Sequence, residues 1–497
     1  MRYALNGYGG RKGSDVMNRG LVFNLISNVA FFVAGYAIHY FLGGFASPAD
    51  YGVVGTIITV LDFEYLFVSN GARQSLARSI ASRHYDGRQV IVRTLVVQFA
   101  VVALFFLIDF AGAPLFGVML GDDALARYFR YAAFLVPANG LYVVMLGIND
   151  GLQRFGRSAF LATFYPMIKL GTIPLIILAF PDDPVIGLEV GYCSAMIVTI
   201  VIGLAMLVPI WRVLPAGEGH DFTWRAAAHG TLSFSLFFIM ASLVLSADTL
   251  VVKAELPSQM AGYYTGAMNF GKTTYYLLQA FAVIILPVVS RLIAQGERDA
   301  AIGKARELLL LAFALILPMA VTISATSTTL LSAFYSPQYT IAASALSFLA
   351  LSSFFMGVTV MLNMLLNAER DARFSDWLSL ISLIVVVTAF ILSARWGGIT
   401  AIAATSMTCT FLLMTISFAE VRLRLGDVMC CRTWTAIGCN AALWAVAYGV
   451  GRLMPTSNFL VLMCLYALMY AAYLAVIARA GVIDIRMIRT LVTNRKE

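Results

Sequence analysis

About fourteen apolar stretches, each long enough to cross a bilayer, follow one another from Leu21 to Ile477 with short polar connections between them. A membrane-spanning helix needs roughly 20 mostly apolar residues. The expected spans are 20–43, 52–80, 90–118, 127–150, 158–180, 185–210, 227–252, 259–292, 304–334, 339–366, 374–394, 398–421, 432–452 and 457–478. Composition agrees: 60% of residues are hydrophobic and 12% charged, where a soluble domain carries roughly twice that charge. The strands of a transmembrane barrel run only about ten residues and alternate polar with apolar side chains. These stretches do neither, so the fold class is an all-α polytopic membrane protein.

Lys and Arg set the orientation. With the N-terminus in the cytoplasm, 27 of the 34 fall on the inner side, among them Arg78, Arg154, Arg225, Arg298 and Arg422. Only Arg127, Arg130, Lys253, Arg395 and Arg452 lie outside, and Lys169 and Lys272 fall within spans. This satisfies the positive-inside rule and places both termini in the cytoplasm. The net charge of +8 is therefore mostly topology. Spread over many loops, it gives no nucleic-acid footprint. Six scattered cysteines suggest neither a disulfide framework nor a metal site. The glycine-rich lead from Gly7 to Ser14 lacks the spacing of a phosphate loop.

The chain also repeats itself. Ser47-Pro48-Ala49-Asp50-Tyr51-Gly52 opens a stretch ending at Arg78-Ser79-Ile80-Ala81. Pro257-Ser258-Gln259-Met260-Ala261-Gly262-Tyr263 opens one ending at Arg291-Leu292-Ile293-Ala294. A third match sets Gln153-Arg154-Phe155-Gly156-Arg157 against Glu369-Arg370-Asp371-Ala372-Arg373. A nearly constant offset implies a duplicated unit. Six spans per unit is an even number, so the two lobes share orientation, and spans thirteen and fourteen lie outside the repeat. The expected organisation is a cytoplasmic tail (1–19), an N-lobe (20–212), a cytoplasmic linker (213–226), a C-lobe (227–425), the two extra helices (426–480) and a second cytoplasmic tail (481–497). Duplicated bundles of this kind commonly build transporters that bind substrate between the repeats and alternate access to it.

Asp248-Thr249-Leu250-Val251-Val252, Ala261-Gly262-Tyr263-Tyr264-Thr265-Gly266-Ala267 and Leu286-Pro287-Val288-Val289-Ser290-Arg291-Leu292 resemble the seventh and eighth spans of polysaccharide flippases. Ala49-Asp50-Tyr51-Gly52 through Arg78 resembles the second span of that family. The resemblance implies membership of the multidrug/oligosaccharidyl-lipid/polysaccharide exporter superfamily, with two six-helix lobes around a central cavity and a final helix pair that helps accommodate a lipid tail. It further implies an undecaprenyl-pyrophosphate-linked oligosaccharide as cargo.

Charged side chains inside a span are functional candidates by default. Lys169, with Tyr165 and Thr172 on its face, and Lys272, with Asn269, Tyr276 and Gln279 on its face, give one deep lysine per lobe, suited to gripping a diphosphate. The alternative is structural: Lys272 paired with Asp248, or a lysine reaching for water. Arg73, Arg78 and Arg19 are further phosphate candidates near the cytoplasmic mouth, since guanidinium binds phosphate bidentately. They are also ordinary inner-end arginines. Asn24 and Asn28 form a polar stripe on the first span that sugar contacts or helix–helix hydrogen bonds explain equally well. Asp62, Glu64 and Asp248 are candidates for coupling to a proton or Na⁺, or for balancing the cations. His39 is expected to hydrogen-bond locally.

No catalytic constellation, nucleotide motif or metal-ligand spacing is present. The chain reads as a transporter and not an enzyme, with no cofactor. The expected function is flipping of lipid-linked oligosaccharide in the bacterial inner membrane for surface polysaccharide synthesis. Alternatives are a lipid II flippase and a cation-coupled small-molecule exporter. Expected partners are the lipid-linked oligosaccharide, membrane lipids, a proton or Na⁺, and a polysaccharide polymerase with its chain-length regulator; the protein itself is expected to be a monomer.

Overall fold

A computed structural model of the protein describes residues 29–82, 84–209, 211, 214, 220–232, 236–368, 373–454 and 456–483. Two compact units divide the chain between Ser235 and Leu236. The first contains α1 (Val29–Phe45), α2 (Pro48–Ser82), α3 (Gly87–Ala111), α4 (Ala113–Met119), α5 (Leu125–Ala132), α6 (Leu135–Gly151), α7 (Phe155–Gly171), α8 (Ile173–Ala179), α9 (Pro184–Leu207) and α10 (Trp224–Leu232). The second contains α11 (Leu236–Glu255), α12 (Ser258–Gly271), α13 (Thr273–Ala294), α14 (Arg298–Leu311), α15 (Leu317–Ala325), α16 (Ser327–Phe334), α17 (Ala343–Asn367), α18 (Arg373–Arg424), α19 (Cys431–Leu453) and α20 (Phe459–Arg479). No sheet forms among the described residues.

Nine helical stretches among the described residues are long and apolar enough to cross a membrane. Most helix breaks have a local cause. Gly112 and Pro114 separate α3 from α4, and Pro174 opens α8 just after Thr172 ends α7. A π-helical turn at Ala312–Ile316 leads into α15, whose Pro318 has no N–H to give the ladder. Helix starts carry caps. Asp86 accepts from the backbone N–H groups of Arg88 and Gln89 at 2.8 and 3.0 Å. Asp183 and Asn458 do the same for α9 and α20. The eleventh and twelfth expected spans are two helices that meet directly at Gly397 and Gly398, and α18 denotes the whole 52-residue stretch. Gly398 has φ +58° and ψ −146°, backbone that side chains beyond glycine avoid.

In the first unit α2 is the central element, packed on α3, α6 and α10. Lipid supplies no hydrophobic drive between helices, so close approach of small residues matters. Gly147 and Gly151 on α6 provide it. A Cβ on Gly147 would lie 3.1 Å from the Arg73 backbone, and one on Gly151 would lie 2.8 Å from Ile80 Cβ and 3.1 Å from the Leu76 carbonyl oxygen. The Gly151→Val variant is expected to cost about 1–3 kcal/mol. Thermal unfolding in detergent checks this, with Gly438→Ala, whose added Cβ meets nothing within 4 Å, as the neutral control. The α10 helix joins this unit because Ala227, with the preceding Phe222, buries against Leu76, Ile80 and Val90. The expected seventh span is thereby shared between the two units.

In the second unit α17 is the hub and α20 the periphery: 78% of the apolar window containing α17 is buried, against 17% for α20. Hydroxyls and amides tie α17 to α18. Ser352 meets Ser406 at 2.8 Å. Asn363 donates to Ser417 at 2.9 Å and accepts from Ser375 at 2.9 Å.

Candidate functional site

In the first unit, the break between α7 and α8 leaves Lys169 in the last turn of α7. Its Nζ lies 3.5 Å above the centroid of Tyr192 on α9 and 6.0 Å from that of Tyr165. An ammonium over an aromatic face gains about 0.5–2 kcal/mol as it loses water, so the rings hold the lysine without neutralising it. Asp62, exposed on α2, acts on it as a counter-charge. His39 is nearby and pairs locally: its Nδ1 lies 2.7 Å from the Tyr51 hydroxyl.

Arg73 has a different partner from those weighed from the sequence. Its Nε donates to Asp150 of α6 at 2.8 Å, with the two side chains 36% and 16% exposed. This pair fastens α2 to α6 next to the Gly147 contact. Glu64 points to neither cation. It is buried and lies close to Asp109 of α3, which is also buried; neither Asp109 oxygen nor Glu64 Oε2 has a hydrogen-bond partner among the described residues. Two carboxyl groups brought together in a buried site repel when both are charged, and a proton on either one relieves the pair. Asp62 and Glu64 thus part company, as two positions on a helix two residues apart must.

Arg78 lines a cavity of about 580 Å³ formed by α2, α10 and the segment before α3. Arg225, His84, His229, Ser75 and Thr223 share the lining, and no acidic residue does among the described residues. It lies at the end of α2 that the Lys/Arg distribution assigns to the cytoplasm. Four basic side chains and several hydroxyls facing one volume can hold an anion.

In the second unit, Lys272 follows the end of α12 and donates to Ser246 of α11 at 3.4 Å. Asp248 is fully buried beside it. Its Oδ2 accepts from the Tyr264 hydroxyl at 2.8 Å and its Oδ1 from the Thr249 backbone N–H at 2.7 Å. Lys272 also acts on it electrostatically. Lys272 is thus within electrostatic reach of Asp248, a carboxylate that already has donors of its own. The α12–α13 break interrupts the stripe expected around Lys272. Asn269 donates to the Tyr335 hydroxyl at 3.2 Å, Tyr276 is exposed, and Gln279 is half-buried on α13. Arg19, Asn24 and Asn28 lie outside the described residues.

Sequence reasoning omits three further acidic groups. Asp109, Asp150 and Glu189 all fall in expected spans, and the rule that flags Asp62 flags them equally. Glu189 on α9 is buried, and neither of its oxygens has a hydrogen-bond partner among the described residues. Tyr192 carries no sequence signal, because its value lies in facing Lys169 from another helix.

Residues 41–344, more than half of the chain, match the family described as polysaccharide biosynthesis protein. The chain belongs to that family. As a member, it is a multi-pass membrane protein whose fold recurs in solved structures of low sequence identity. One is the lipid II flippase MurJ in an inward closed conformation, with 14% identity, TM-score 0.68, and 93% of this chain and 100% of that one covered. Another is an inward-facing multidrug resistance MATE transporter of the MOP superfamily, with 14% identity, TM-score 0.63, and coverages of 80% and 95%. A third is a mutant form of the Vibrio cholerae MATE transporter VcmN, with 14% identity, TM-score 0.51, and coverages of 83% and 94%. The sequence matches no curated protein.

Proposed function

We propose that this family member flips undecaprenyl-pyrophosphate-linked oligosaccharide across the bacterial inner membrane by alternating access, for surface polysaccharide synthesis. The observation that carries the reading is one lysine at depth in each unit, each held by neutral aromatic or hydroxyl neighbours with a carboxylate nearby. Such a lysine keeps its charge for an anionic cargo. The basic cavity at Arg78 supplies a first phosphate contact on the cytoplasmic side. Arg73 serves the helix packing through Asp150, and Asp248 anchors α11 to α12 through Tyr264. Among the coupling candidates, the Glu64–Asp109 pair is best arranged to carry a proton, because two buried carboxyl groups side by side repel unless one of them is protonated. The cargo crosses without any bond being made or broken. The protein works as a monomer, with both termini in the cytoplasm, and hands its product to a polymerase and its chain-length regulator.

Deleting the gene is expected to leave lipid-linked oligosaccharide on the cytoplasmic leaflet and to remove a surface glycan. Purified protein in vesicles should expose such a lipid to an external glycosidase and leave lipid II untouched. Exposure of lipid II alone would replace this reading with the peptidoglycan one. Normal surface glycan in a deletion strain without a second homologue would remove it.

A further inference from the structure

The second unit also contains a polar groove, apart from Lys272 and Asp248. It has a volume of about 790 Å³ and lies among α15, α16, α17 and α19. Its floor is made of hydroxyls. Ser327 and Ser347 meet at 2.8 Å, and Ser347 donates to the Ser324 carbonyl at 2.7 Å. Its wall is one face of α19. The rings of Trp444 and Tyr448 stack at 5.3 Å with 8° between their planes, and both stay partly open, at 38% and 41% exposure. Trp444 is fixed by donation to the Ser324 hydroxyl at 3.3 Å. Tyr448 is fixed by Arg452, which donates to its hydroxyl at 2.7 Å. Gly451 keeps the groove open: a Cβ there would come within 3.3 Å of Thr326. The Lys/Arg distribution assigns this end of the unit to the outer face.

The lining chemistry selects among ligands. A lipid tail would be matched by an apolar lining throughout, and here the floor is a row of Ser and Thr hydroxyls. An organic cation would be matched by a carboxylate, and none lines the groove among the described residues. A phosphate group would be matched by several cations, and Arg452 is the single charge in the described lining. A pyranose ring fits each component. Its C–H face packs on an aromatic plate, its hydroxyls exchange hydrogen bonds with Ser and Thr, which donate or accept as needed, and a guanidinium donates to a ring oxygen or grips a uronate carboxylate in bidentate fashion. The volume lies within the range of small-ligand pockets.

We infer that the α15–α16–α17–α19 groove is a saccharide-binding site on the outer face of the second unit. It deepens the flippase reading by naming where the glycan of the cargo is held, while free-sugar binding is measured without any flipping, so the two can fail separately.

The test uses the full-length protein in sugar-free lipid nanodiscs. The probes are the methyl glycosides of glucose, galactose, N-acetylglucosamine and glucuronic acid, with glycerol 3-phosphate as the lipid-headgroup probe. Saturation-transfer NMR should detect at least one glycoside. Tyr448→Ala, at a partly exposed position, should weaken that binding by about ten-fold, the scale of one lost aromatic contact. Tyr448→Phe, which keeps the plate, should weaken it less. Gly451→Val, which fills the groove, should abolish binding in protein that still elutes as a single folded species. Three outcomes overturn the inference: no transfer to any glycoside from folded wild-type protein, transfer unchanged in Tyr448→Ala, or displacement of the glycoside by glycerol 3-phosphate at lower concentration than by the glycoside itself.

Discussion

The Lys169→Gln/Lys272→Gln double variant is expected to accumulate in the membrane at wild-type levels and to move less than a tenth of the lipid-linked cargo. Each lysine offers a charge-assisted hydrogen bond to phosphate, worth about 1.5–3 kcal/mol, and losing both costs at least one decade in rate. Folding should survive for a separate reason in each unit. In the first, Lys169→Gln keeps most of the stem that lies against Tyr165 and Tyr192 and gives up only the cation–ring attraction. In the second, the amide introduced by Lys272→Gln could still reach Ser246, and Asp248 would keep its bonds from Tyr264 and Thr249, so no buried carboxylate is left bare. Lys→Arg at either position should be milder, because the charge remains. Flipping assayed in vesicles checks this, and full transport by the double variant would reduce both lysines to structural residues.

The second large effect is expected at Glu64 and Asp109. The Glu64→Gln/Asp109→Asn variant sets two neutral amides, which both donate and accept, where the two carboxyl groups lie close together on α2 and α3. It should fold normally, yet it has no proton to release. Transport by this variant should no longer respond to an imposed proton gradient, while wild-type transport does. A gradient response that persists in the double amide would leave the pair a structural tie and move the coupling elsewhere.

Much of this fold is visible in the sequence because bilayer thickness leaves so few options. The boundary expected between spans 374–394 and 398–421 falls where Gly397 and Gly398 break α18, and the single fact behind it is that two glycines interrupt an apolar run. The site was less legible. Arg73 and Asp150 are 77 positions apart, and nothing in either neighbourhood announces the other. Periodicity placed Tyr276 and Gln279 on the face of Lys272, but it presumes one continuous helix, and α12 stops at Gly271. The repeat compared loops and helix ends, where motifs survive. Pairings across helices, such as Lys169 with Tyr192 or Glu64 with Asp109, depend on which faces pack together, and that is decided only in the assembled unit.

The glycine break in α18 also decides how this stretch crosses the lipid. A straight helix of 52 residues would run roughly 78 Å, more than twice the hydrocarbon thickness of about 30 Å. The stretch therefore crosses as two helices, and the chain turns between them at Gly397 and Gly398, beside Arg395, whose guanidinium lies 3.8 Å from Glu255 of α11. With φ +58° at Gly398, a β-branched residue there would strain the turn itself, so one glycine governs how two whole spans are aimed.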